Sequence, residues 1–467
     1  QTPAIFKVIQ ATQTPDEAFV RWRVEELGNP ISSTWQDDAL IEAWIKYYQE
    51  RPTQRGYCMV TGEDKALSIQ HPAKLRHGGD KAKLISANDT AGYTFRGKFI
   101  DSDEAASVGF EVTQKAHNAL RWLIARQASR NGDQVVVSWS VGGKKVPDPF
   151  VSTLELLGIE LPIKTGASGI GDVAQAFALR LKNAIRGYGK ELEPTEDIVV
   201  MGLDSATPGR MAITFYRELK GSEFLDRIET WHIKCAWSQN FGKDRKFVGA
   251  PAPRDIAEAA YGRRVDDKLR KAVVERLLPC IVDSSPLPRD LVESTTRRAS
   301  NRTGFEDKWE WEKCLGIACA LFKGSQTERD YQMTLETDRK TRDYLYGRLL
   351  AIAENIESRA LFVARETRDT TAARLMQRFA DRPYSTWRTI ELALVPYKTR
   401  LRASRGGFLF KMDVLLDDVM GAFSGDDFTQ DGPLSGEFLL GYHCQRQALK
   451  PSDETSPAQE PATDSVE

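Results

Sequence analysis

The sequence predicts an α+β protein, in which a mixed α/β amino-terminal domain precedes a carboxy-terminal antiparallel helical bundle. Three observations support this prediction. Strand-like and helical segments alternate through residue 332 of the 467-residue chain. From Met333 to residue 450, amphipathic helical segments follow one another with short breaks between them. The hydrophobic fraction of 41% is large enough to form folded cores. We therefore expect domains at residues 1–332 and 333–450 and a tail at residues 451–467.

The beginning of the amino-terminal domain combines strong helical patterns with shorter segments. DDALIEAWIKYYQE predicts a helix, one face of which carries Leu40, Ile41, Trp44 and Tyr47 or Tyr48. Between Tyr57 and Phe99 the pattern shortens to strands and glycine turns. SVGFEVTQKAHNALRWLIARQA then returns to a helical period, and the valines of DQVVVSWSV are typical of a strand.

The middle of the chain contains a predicted hairpin and several helices. EDIVVMGLDSATPGRMAITFYREL predicts two strands joined by a turn at Ser205–Gly209. We interpret WHIKCAW as a buried strand, so that His232 and Cys235 belong to the core and not to a metal half-site. RDIAEAAYG, DKLRKAVVERLLPCIV and WEWEKCLGIACALFKG predict helices, the last of which ends at a Gly324 cap.

The glycine-rich segment IKTGASGIGDVAQAFALRL resembles a nucleotide-binding loop. It is one residue short of the glycine turn of short-chain dehydrogenases, and it lacks the Lys-Ser/Thr pair of a P-loop. Pro162 also breaks the stretch before it, which makes that stretch a poor parallel strand. We therefore favour a glycine linker, with Asp172 near the N-cap of the following helix, over a dinucleotide site.

The carboxy-terminal domain predicts a bundle of helices. Leu345, Leu349, Ile352, Ile356 and Ala360 recur at steps of three and four, and four further helical segments follow. Pro383, Gly406-Gly407 and Gly425 separate these segments. The final residues, PSDETSPAQEPATDSVE, predict a disordered acidic tail.

Charge is unevenly distributed in this bundle although the net charge of the chain is only −1. Arg339 to Lys411 contains sixteen Lys and Arg against seven Asp and Glu, whereas Met412 to Glu467 contains two against twelve. The basic excess could follow a phosphate backbone, and the alternative is ordinary solvated helix faces.

The most unusual local composition lies in LRHGGDKAKLISANDTAGYTFRGKF, from Leu75 to Phe99. Bare backbone, cations and short polar side chains occur together, which predicts contact with DNA. The candidate DNA-binding residues are Gly78, Gly79, Lys81, Lys83, Ser86, Asn88, Thr90, Arg96 and Lys98. The lysines suit phosphates or the minor groove, and the Ser, Asn and Thr side chains suit base edges. The alternative is a glycine turn with ordinary surface lysines.

The sequence contains no recognisable catalytic constellation. It has no Walker loop, no nucleophile elbow and no spaced Asp/Glu set with a histidine for a two-metal nuclease. Asp417-Asp418 and Asp426-Asp427 are interpreted as solvated charge. We therefore expect no enzymatic activity, no metal and no cofactor.

Cysteine usage and hydropathy indicate a cytoplasmic protein. None of the six cysteines forms a C-x-x-C pair, which fits a reducing compartment. No apolar run approaches the roughly 18–20 residues that cross a bilayer, and the first ten residues lack the pattern of a signal peptide.

Several long segments carry a resemblance to a known family. They include RMAITFYRELKGSEFLDRIETWHIKCAWSQ, GAPAPRDIAEAAYG, RDYLYGRLLAIAE, TAARLMQRFADRPYSTWRTIELALVPY, GFLFKMDVLLDDVMGAF and PLSGEFLLGYHCQRQAL. In this order the chain resembles the large subunit of the type I-C CRISPR surveillance complex, Cascade, from about Arg55 to Lys450. Family members usually begin with an additional amino-terminal region, so the resemblance implies an abbreviated amino terminus here.

The resemblance implies a non-catalytic role in RNA-guided DNA surveillance. Such subunits inspect duplex DNA for the protospacer-adjacent motif and help to open the strands, after which guide pairing reads the sequence. The implied partners are the guide-RNA ribonucleoprotein, the backbone, guide 5′-end-binding and small subunits of Cascade, target double-stranded DNA, and a recruited helicase-nuclease. No membrane partner is implied.

Within the bundle, the basic excess and the resemblance together select five strand-binding candidates, which are Arg368, Arg374, Arg378, Arg388 and Lys398. They are expected on helices whose opposite faces are apolar. The resemblance also implies that the bundle is similar to a small subunit and can be made separately from an internal start, for which Met333 is the candidate.

Two other function classes remain open on the sequence alone. One is an enzyme, either a nuclease or a nucleotide-dependent oxidoreductase, which would require a metal or cofactor site. The other is a purely structural scaffold that binds guide RNA or other subunits.

Overall fold

The structure of the protein is a computed structural model. It describes residues 14, 20–28, 30–50, 54–86, 99, 102–158, 170–207, 209–242, 245–326 and 328–450. The chain forms two compact units, Gln1–Leu120 and Arg121–Glu467. Antiparallel sheets lie in the amino-terminal half and helices make up the carboxy-terminal half, so the predicted α+β class is confirmed.

The first unit contains the predicted helices. Its elements are α1 (Asp38–Glu50), β1 (Arg55–Tyr57), β2 (Asp64–Ala66), α2 (Ser102–Ala105) and the beginning of α3 (Phe110–Gln127). Strands β1 and β2 pair antiparallel. The apolar face predicted for α1 is largely exposed, and Trp44, for example, is 62% exposed. The periodicity therefore predicted the helix correctly, although this face is not part of a core.

The second unit begins with a four-stranded antiparallel sheet in the order β3-β4-β5-β6. The strands are β3 (Ser129–Asn131), β4 (Gln134–Ser140), β5 (Asp197–Thr207) and β6 (Arg210–Lys220). The hairpin predicted from the sequence is therefore confirmed, but β5 continues through Thr207, which pairs with Arg210, so the turn begins later than the predicted Ser205. The valines of β4 are buried, as expected for a strand covered on both faces.

Three helices precede or follow the long strands of this sheet in the sequence: two lie between β4 and β5, and one follows β6. They are α4 (Thr153–Leu157), α5 (Ile170–Glu191) and α6 (Gly221–Lys234). Ser152 and Glu155 form a capping box at the beginning of α4. Asp172 lies in the first turn of α5. The last two residues of the predicted glycine linker, Ile170 and Gly171, already belong to this helix, and the rest of the linker lies outside the described residues.

The interpretation of WHIKCAW as a strand is wrong. Helix α6 continues through Lys234 and is capped at Cys235, and β7 (Trp237–Asn240) begins only afterwards and pairs with β8 (Lys246–Gly249). The buried residues of α6 recur at helical steps from Phe224 to Trp231, so the short alternation at the end of the segment was the last turn of a helix.

Four helices then form much of the core. They are α7 (Pro253–Tyr261), α8 (Asp267–Val282), α9 (Arg289–Ser300) and α10 (Lys308–Ser325). The predicted cap at Gly324 is wrong, because α10 continues to Ser325 and is capped at Gln326. Gly324 is needed for packing instead: a Cβ atom there would lie 2.7 Å from Cys235 Sγ.

The predicted carboxy-terminal helices are confirmed. They are α11 (Arg342–Val363), α12 (Thr371–Asp381), α13 (Pro383–Ser404), α14 (Gly406–Gly421) and α15 (Glu437–Ala448). Helix α11 is the central element and contacts each of the other four. Pro383 occupies the first turn of α13, where its missing N–H costs nothing.

Helices α11 and α15 approach each other unusually closely. A Cβ atom on Gly347 of α11 would overlap the Phe438 carbonyl oxygen, and one on Gly441 of α15 would overlap the Tyr344 carbonyl oxygen. Both positions therefore require glycine, because any side chain would force the two backbones apart.

A buried polar cluster surrounds this crossing. Glu354 of α11 accepts hydrogen bonds from Arg302 and from the Tyr442 hydroxyl, and Arg446 of α15 pairs with Glu312 of α10. Burial alone would raise the pKa of Glu354, but the Arg302 and Arg446 charges outweigh it, so its pKa lies below the ordinary range. Glu354 is thus held ionised inside the unit.

Further contacts join the last helix to residues that precede the predicted domain boundary. Trp237 Nε1 donates a hydrogen bond to His443 Nδ1 at 3.2 Å, and the Tyr331 hydroxyl donates one to Glu437 at 3.0 Å. Both pairs are buried. The boundary at residue 333 and the separable fragment stay predictions, and the tail at residues 451–467 lies outside the described residues.

The buried histidine His443 predicts a specific pH dependence of stability. Burial lowers its pKa to about 3, whereas an unfolded histidine titrates near 6.5. Between these values the unfolded chain binds more protons, so the free energy of unfolding falls as pH decreases below about 6.5. In His443→Asn, which retains a hydrogen-bond acceptor but does not titrate, we expect a shallower decrease by about one proton.

Urea unfolding from about pH 7.5 to about pH 5 measures this dependence. An unchanged slope in His443→Asn would show that His443 does not contribute to the acid sensitivity.

Candidate nucleic-acid interface

The loop formed by residues 74–86 is organised by a buried ion pair. Arg76 Nε and Nη2 each donate a hydrogen bond of 2.9 Å to the Asp80 carboxylate, and the two side chains are 4% and 2% exposed. The carboxylate also accepts the Ala82 amide at 3.0 Å. Asp80 therefore stabilises the loop through Arg76 and the following residues through the Ala82 amide.

Backbone contacts close this loop. The Lys74 amide donates to the Asp80 carbonyl at 2.9 Å, and the Asp80 amide donates to the His77 carbonyl at 3.0 Å. Lys74 has a φ of 63°, in the left-handed region that side chains rarely adopt. Burial would raise the pKa of Asp80, but hydrogen bonds from Arg76 and Ala82 outweigh it and lower the pKa.

The loop at residues 74–86 contains the first part of the predicted DNA-binding stretch and exposes several of its residues. Gly78, Gly79 and Lys81 are exposed, and Lys83 and Ser86 are half-buried. Neither glycine has a positive φ, and space is open around Gly78. The glycines thus leave backbone accessible and are not required by the turn itself. Asn88, Thr90, Arg96 and Lys98 lie outside the described residues.

Two buried histidines lie near this loop. His71 Nδ1 is 2.9 Å from Thr113 Oγ1, which is 3.1 Å from His117 Nδ1. Burial lowers the pKa of His71, and the positive charges of His117 and Lys83 lower it further.

Sequence reasoning missed the structural role of Arg76 and counted it among the cations of the stretch. The opposite charges of Arg76 and Asp80 are four residues apart, which was the available signal. That spacing is usually interpreted as a helical surface pair, whereas here it closes a non-helical loop. Arg76 adds no net charge to the surface because Asp80 neutralises it.

The five bundle candidates fall into two groups. Arg374 and Arg378 of α12 and Arg388 of α13 are exposed on helices, as predicted. Arg368 instead lies in the loop between α11 and α12, where the prediction of a helix is wrong. Lys398 of α13 is half-buried.

The second group, Arg368 and Lys398, already forms ion pairs within the protein. Arg368 contacts Glu366 at 3.1 Å and Glu357 at 3.4 Å, and it also bonds the Tyr397 hydroxyl. Lys398 Nζ lies 2.8 Å from Asp413 of α14. These two side chains join elements of the bundle, whereas the first group of three presents its charge to solvent.

The remaining titratable groups singled out from the sequence are structural. His232 and Cys235 are both fully buried, and His232 Nδ1 is 2.7 Å from Thr153 Oγ1. Burial lowers the pKa of His232 to about 3 and raises that of Cys235 to about 12. Among the described residues, no three His, Cys, Asp or Glu side chains are placed to hold a metal ion. In the same residues, no helix is long and apolar enough to span a membrane.

Comparison with known proteins identifies the family. A model described as CRISPR-associated protein (Cas_Csd1) matches residues 1–450. The chain belongs to this family. The match spans the whole stretch, from Arg55 to Lys450, on which the resemblance was drawn, and it confirms that resemblance. No curated protein matches this Csd1-family chain in sequence.

The Arg76–Asp80 pair predicts a large local stability effect. Asp80→Ala would leave a buried arginine without its counter-charge, which costs about 3–5 kcal/mol. We expect residues 74–86 to lose protection in hydrogen-exchange mass spectrometry. Asp64→Ala is the matched control, because its partner Arg55 lies 3.6 Å away and both side chains are 62% exposed. Such a pair contributes about 1 kcal/mol or less. Equal exchange in both variants would contradict the proposed role of the buried pair.

Proposed function

We propose that this chain is the non-catalytic large subunit of a type I-C CRISPR surveillance complex and recognises the protospacer-adjacent motif in duplex DNA. The observation that carries the proposal is the family match over residues 1–450. The exposed lysine and bare backbone of the loop at residues 74–86 support it, since this loop offers contacts to phosphates and groove edges.

We assign motif recognition to the loop at residues 74–86 and to the residues that follow it. Lys81 attracts the phosphate backbone, while the backbone at Gly78 and Gly79 approaches the duplex without steric obstruction. The short side chains of Ser86, Asn88 and Thr90 contact base edges. The buried Arg76–Asp80 pair keeps the loop in one conformation, which limits the entropy lost on binding.

Strand separation is assigned to the helical bundle. Arg374, Arg378 and Arg388 present positive charge on α12 and α13, and they bind the backbone of the displaced or target strand. Lys398 and Arg368 would contribute only by exchanging their present carboxylate partners for phosphates.

The proposal places this chain in a larger cytoplasmic assembly. Its partners are the guide-RNA ribonucleoprotein, the backbone, guide 5′-end-binding and small subunits, and the target double-stranded DNA. Guide pairing reads the target sequence, and a recruited helicase-nuclease carries out cleavage, so this subunit needs neither cofactor nor metal.

The lysines of the loop should control capture of DNA. Lys81→Ala with Lys83→Ala is expected to weaken binding of motif-containing duplex by the assembled complex, because phosphate contacts are lost. The dependence of log K on log salt should flatten by about one per lost contact. Asn88→Ala should relax the preference for the motif and leave the salt dependence unchanged. Fluorescence anisotropy with motif and mutated-motif duplexes measures both effects.

Two exposed lysines elsewhere in the first unit provide the control. Lys46→Ala with Lys115→Ala removes the same charge from α1 and α3 and should leave DNA capture intact. If the loop variants bind duplex like the wild type, the motif-reading assignment is wrong, and a purely structural scaffold becomes the better explanation.

The bundle arginines should affect a later step. Arg378→Glu with Arg388→Glu is expected to impair strand opening, measured by 2-aminopurine fluorescence in the target, while initial motif binding stays nearly unchanged. The reason is that these charges contact single strands that exist only after opening. Arg180→Glu with Arg186→Glu reverses two exposed arginines of α5 and is the matched control. Equal loss at both steps would contradict this division.

A further inference from the structure

Helices α13 and α14 form an antiparallel pair with an exposed outer face. Only Arg405 separates the two helices in the chain. Lys398 of α13 and Asp413 of α14 lie at similar distances from this connection, and their charged groups are 2.8 Å apart. This ion pair fixes the register in which the two helices lie side by side.

Both helices carry apolar side chains on this outer face. The four residues are exposed to 70% for Leu392, 57% for Val395, 70% for Phe410 and 43% for Val414. The pair on α13 is three residues apart and the pair on α14 is four apart, which are the spacings of neighbours on a helix surface. Val395 lies one turn before Lys398, and Val414 directly follows Asp413, so the two pairs lie beside each other. An exposed apolar cluster of this kind indicates a surface that binds another protein.

Charged side chains give this face a basic end and an acidic end. At the connection between the helices, the exposed cations are Arg402, Arg405 and Lys411. The exposed carboxylates lie further along, with Asp417 about 9 Å from Lys411 along α14 and Glu391 about 16 Å from Arg402 along α13. None of the ion pairs between described residues involves these five side chains. The face therefore changes from basic through apolar to acidic along its length.

We propose that this face binds the same face of a second copy of the chain in a two-fold symmetric dimer. A two-fold axis that crosses the helices at right angles places the two copies antiparallel, and every contact then occurs twice. The basic end of each copy lies on the acidic end of the other. The two apolar clusters cover each other between these ends.

The order of the charges selects this partner. A face that binds a nucleic-acid strand would carry cations along its whole length, whereas Asp417 and Glu391 would repel phosphates here. A face that is basic at one end and acidic at the other is complementary to its own antiparallel copy. Parallel copies would place like charges together, which is unfavourable. The chain itself thus supplies the partner that satisfies both ends.

The dimer adds a second copy of the chain to the partners proposed above and does not depend on motif recognition. Arg388, which is assigned to strand separation, lies one turn beyond Glu391 on α13. Its charge is offset by Asp418, which is exposed at the same end of the face. Because the dimer does not require Arg388, loss of dimerisation and loss of strand opening are separable by experiment.

Sedimentation equilibrium of the full chain at low ionic strength tests the proposal. We expect the weight-average mass to rise with concentration from one chain toward two. Phe410→Ala removes the largest apolar side chain of the face and should raise the dissociation constant of the dimer at least about tenfold. Because Phe410 is exposed, the circular dichroism of this variant should match that of the wild type.

Charge reversal tests the antiparallel arrangement. Arg402→Glu with Lys411→Glu makes the basic end acidic. Glu391→Lys with Asp417→Lys makes the acidic end basic. Each variant alone should dimerise at least about tenfold more weakly than the wild type, because like charges then meet. An equimolar mixture of the two variants should form heterodimers, because each end of one variant then meets the opposite charge on the other.

A double charge reversal elsewhere in the second unit is the control. Lys182→Glu with Lys190→Glu changes two exposed lysines of α5 and should dimerise like the wild type. The proposal is overturned if the wild-type chain stays single at every soluble concentration. It is also overturned if Phe410→Ala dimerises as strongly as the wild type, or if the mixture of the two reversal variants stays monomeric.

Discussion

The crossing of α11 and α15 is the constraint on which the second unit depends. Gly347 and Gly441 allow the two backbones to touch, and this contact sets the depth at which every other side chain of α15 lies. Tyr442 and Arg446 then reach the buried carboxylates of Glu354 and Glu312. Because a buried charge that loses its partner costs about 3–5 kcal/mol, a shift of this crossing would be strongly opposed.

This arrangement makes the last described helix a part of the core. His443 of α15 contacts Trp237 of β7, so the last described helix is joined to a strand 206 residues earlier in the chain. By contrast, Arg378 and Arg388 lie on the exposed faces of α12 and α13. Buried ion pairs hold the interior together, and the exposed arginines can bind a strand without disturbing them. The Arg76–Asp80 pair gives the loop of the first unit the same property on a smaller scale.

The sequence predicted those features that depend on local periodicity. The helices from Arg342 onward and the β5–β6 hairpin were found because apolar residues recur at the period of each element. The errors arose where the deciding contact is distant in sequence. Gly324 is fixed by Cys235 of another element, and WHIKCAW was too short to separate the last turn of a helix from a strand. No local pattern records a contact of this kind.

The sequence showed which basic residues the candidate interface contains, but not which of them are exposed and able to bind a phosphate. The basic region of the bundle contains sixteen Lys and Arg, yet the structure uses several of them internally. Arg348 is 4% exposed and bonds Gln445, and Arg339 pairs with Glu336. Counting cations therefore overstates the surface that can bind phosphates. Under the proposed function, the subunit inspects many duplexes and must release almost all of them, and a few exposed cations give the weak, salt-sensitive contact that such a search requires. In that proposal, guide pairing supplies the stability that this surface does not.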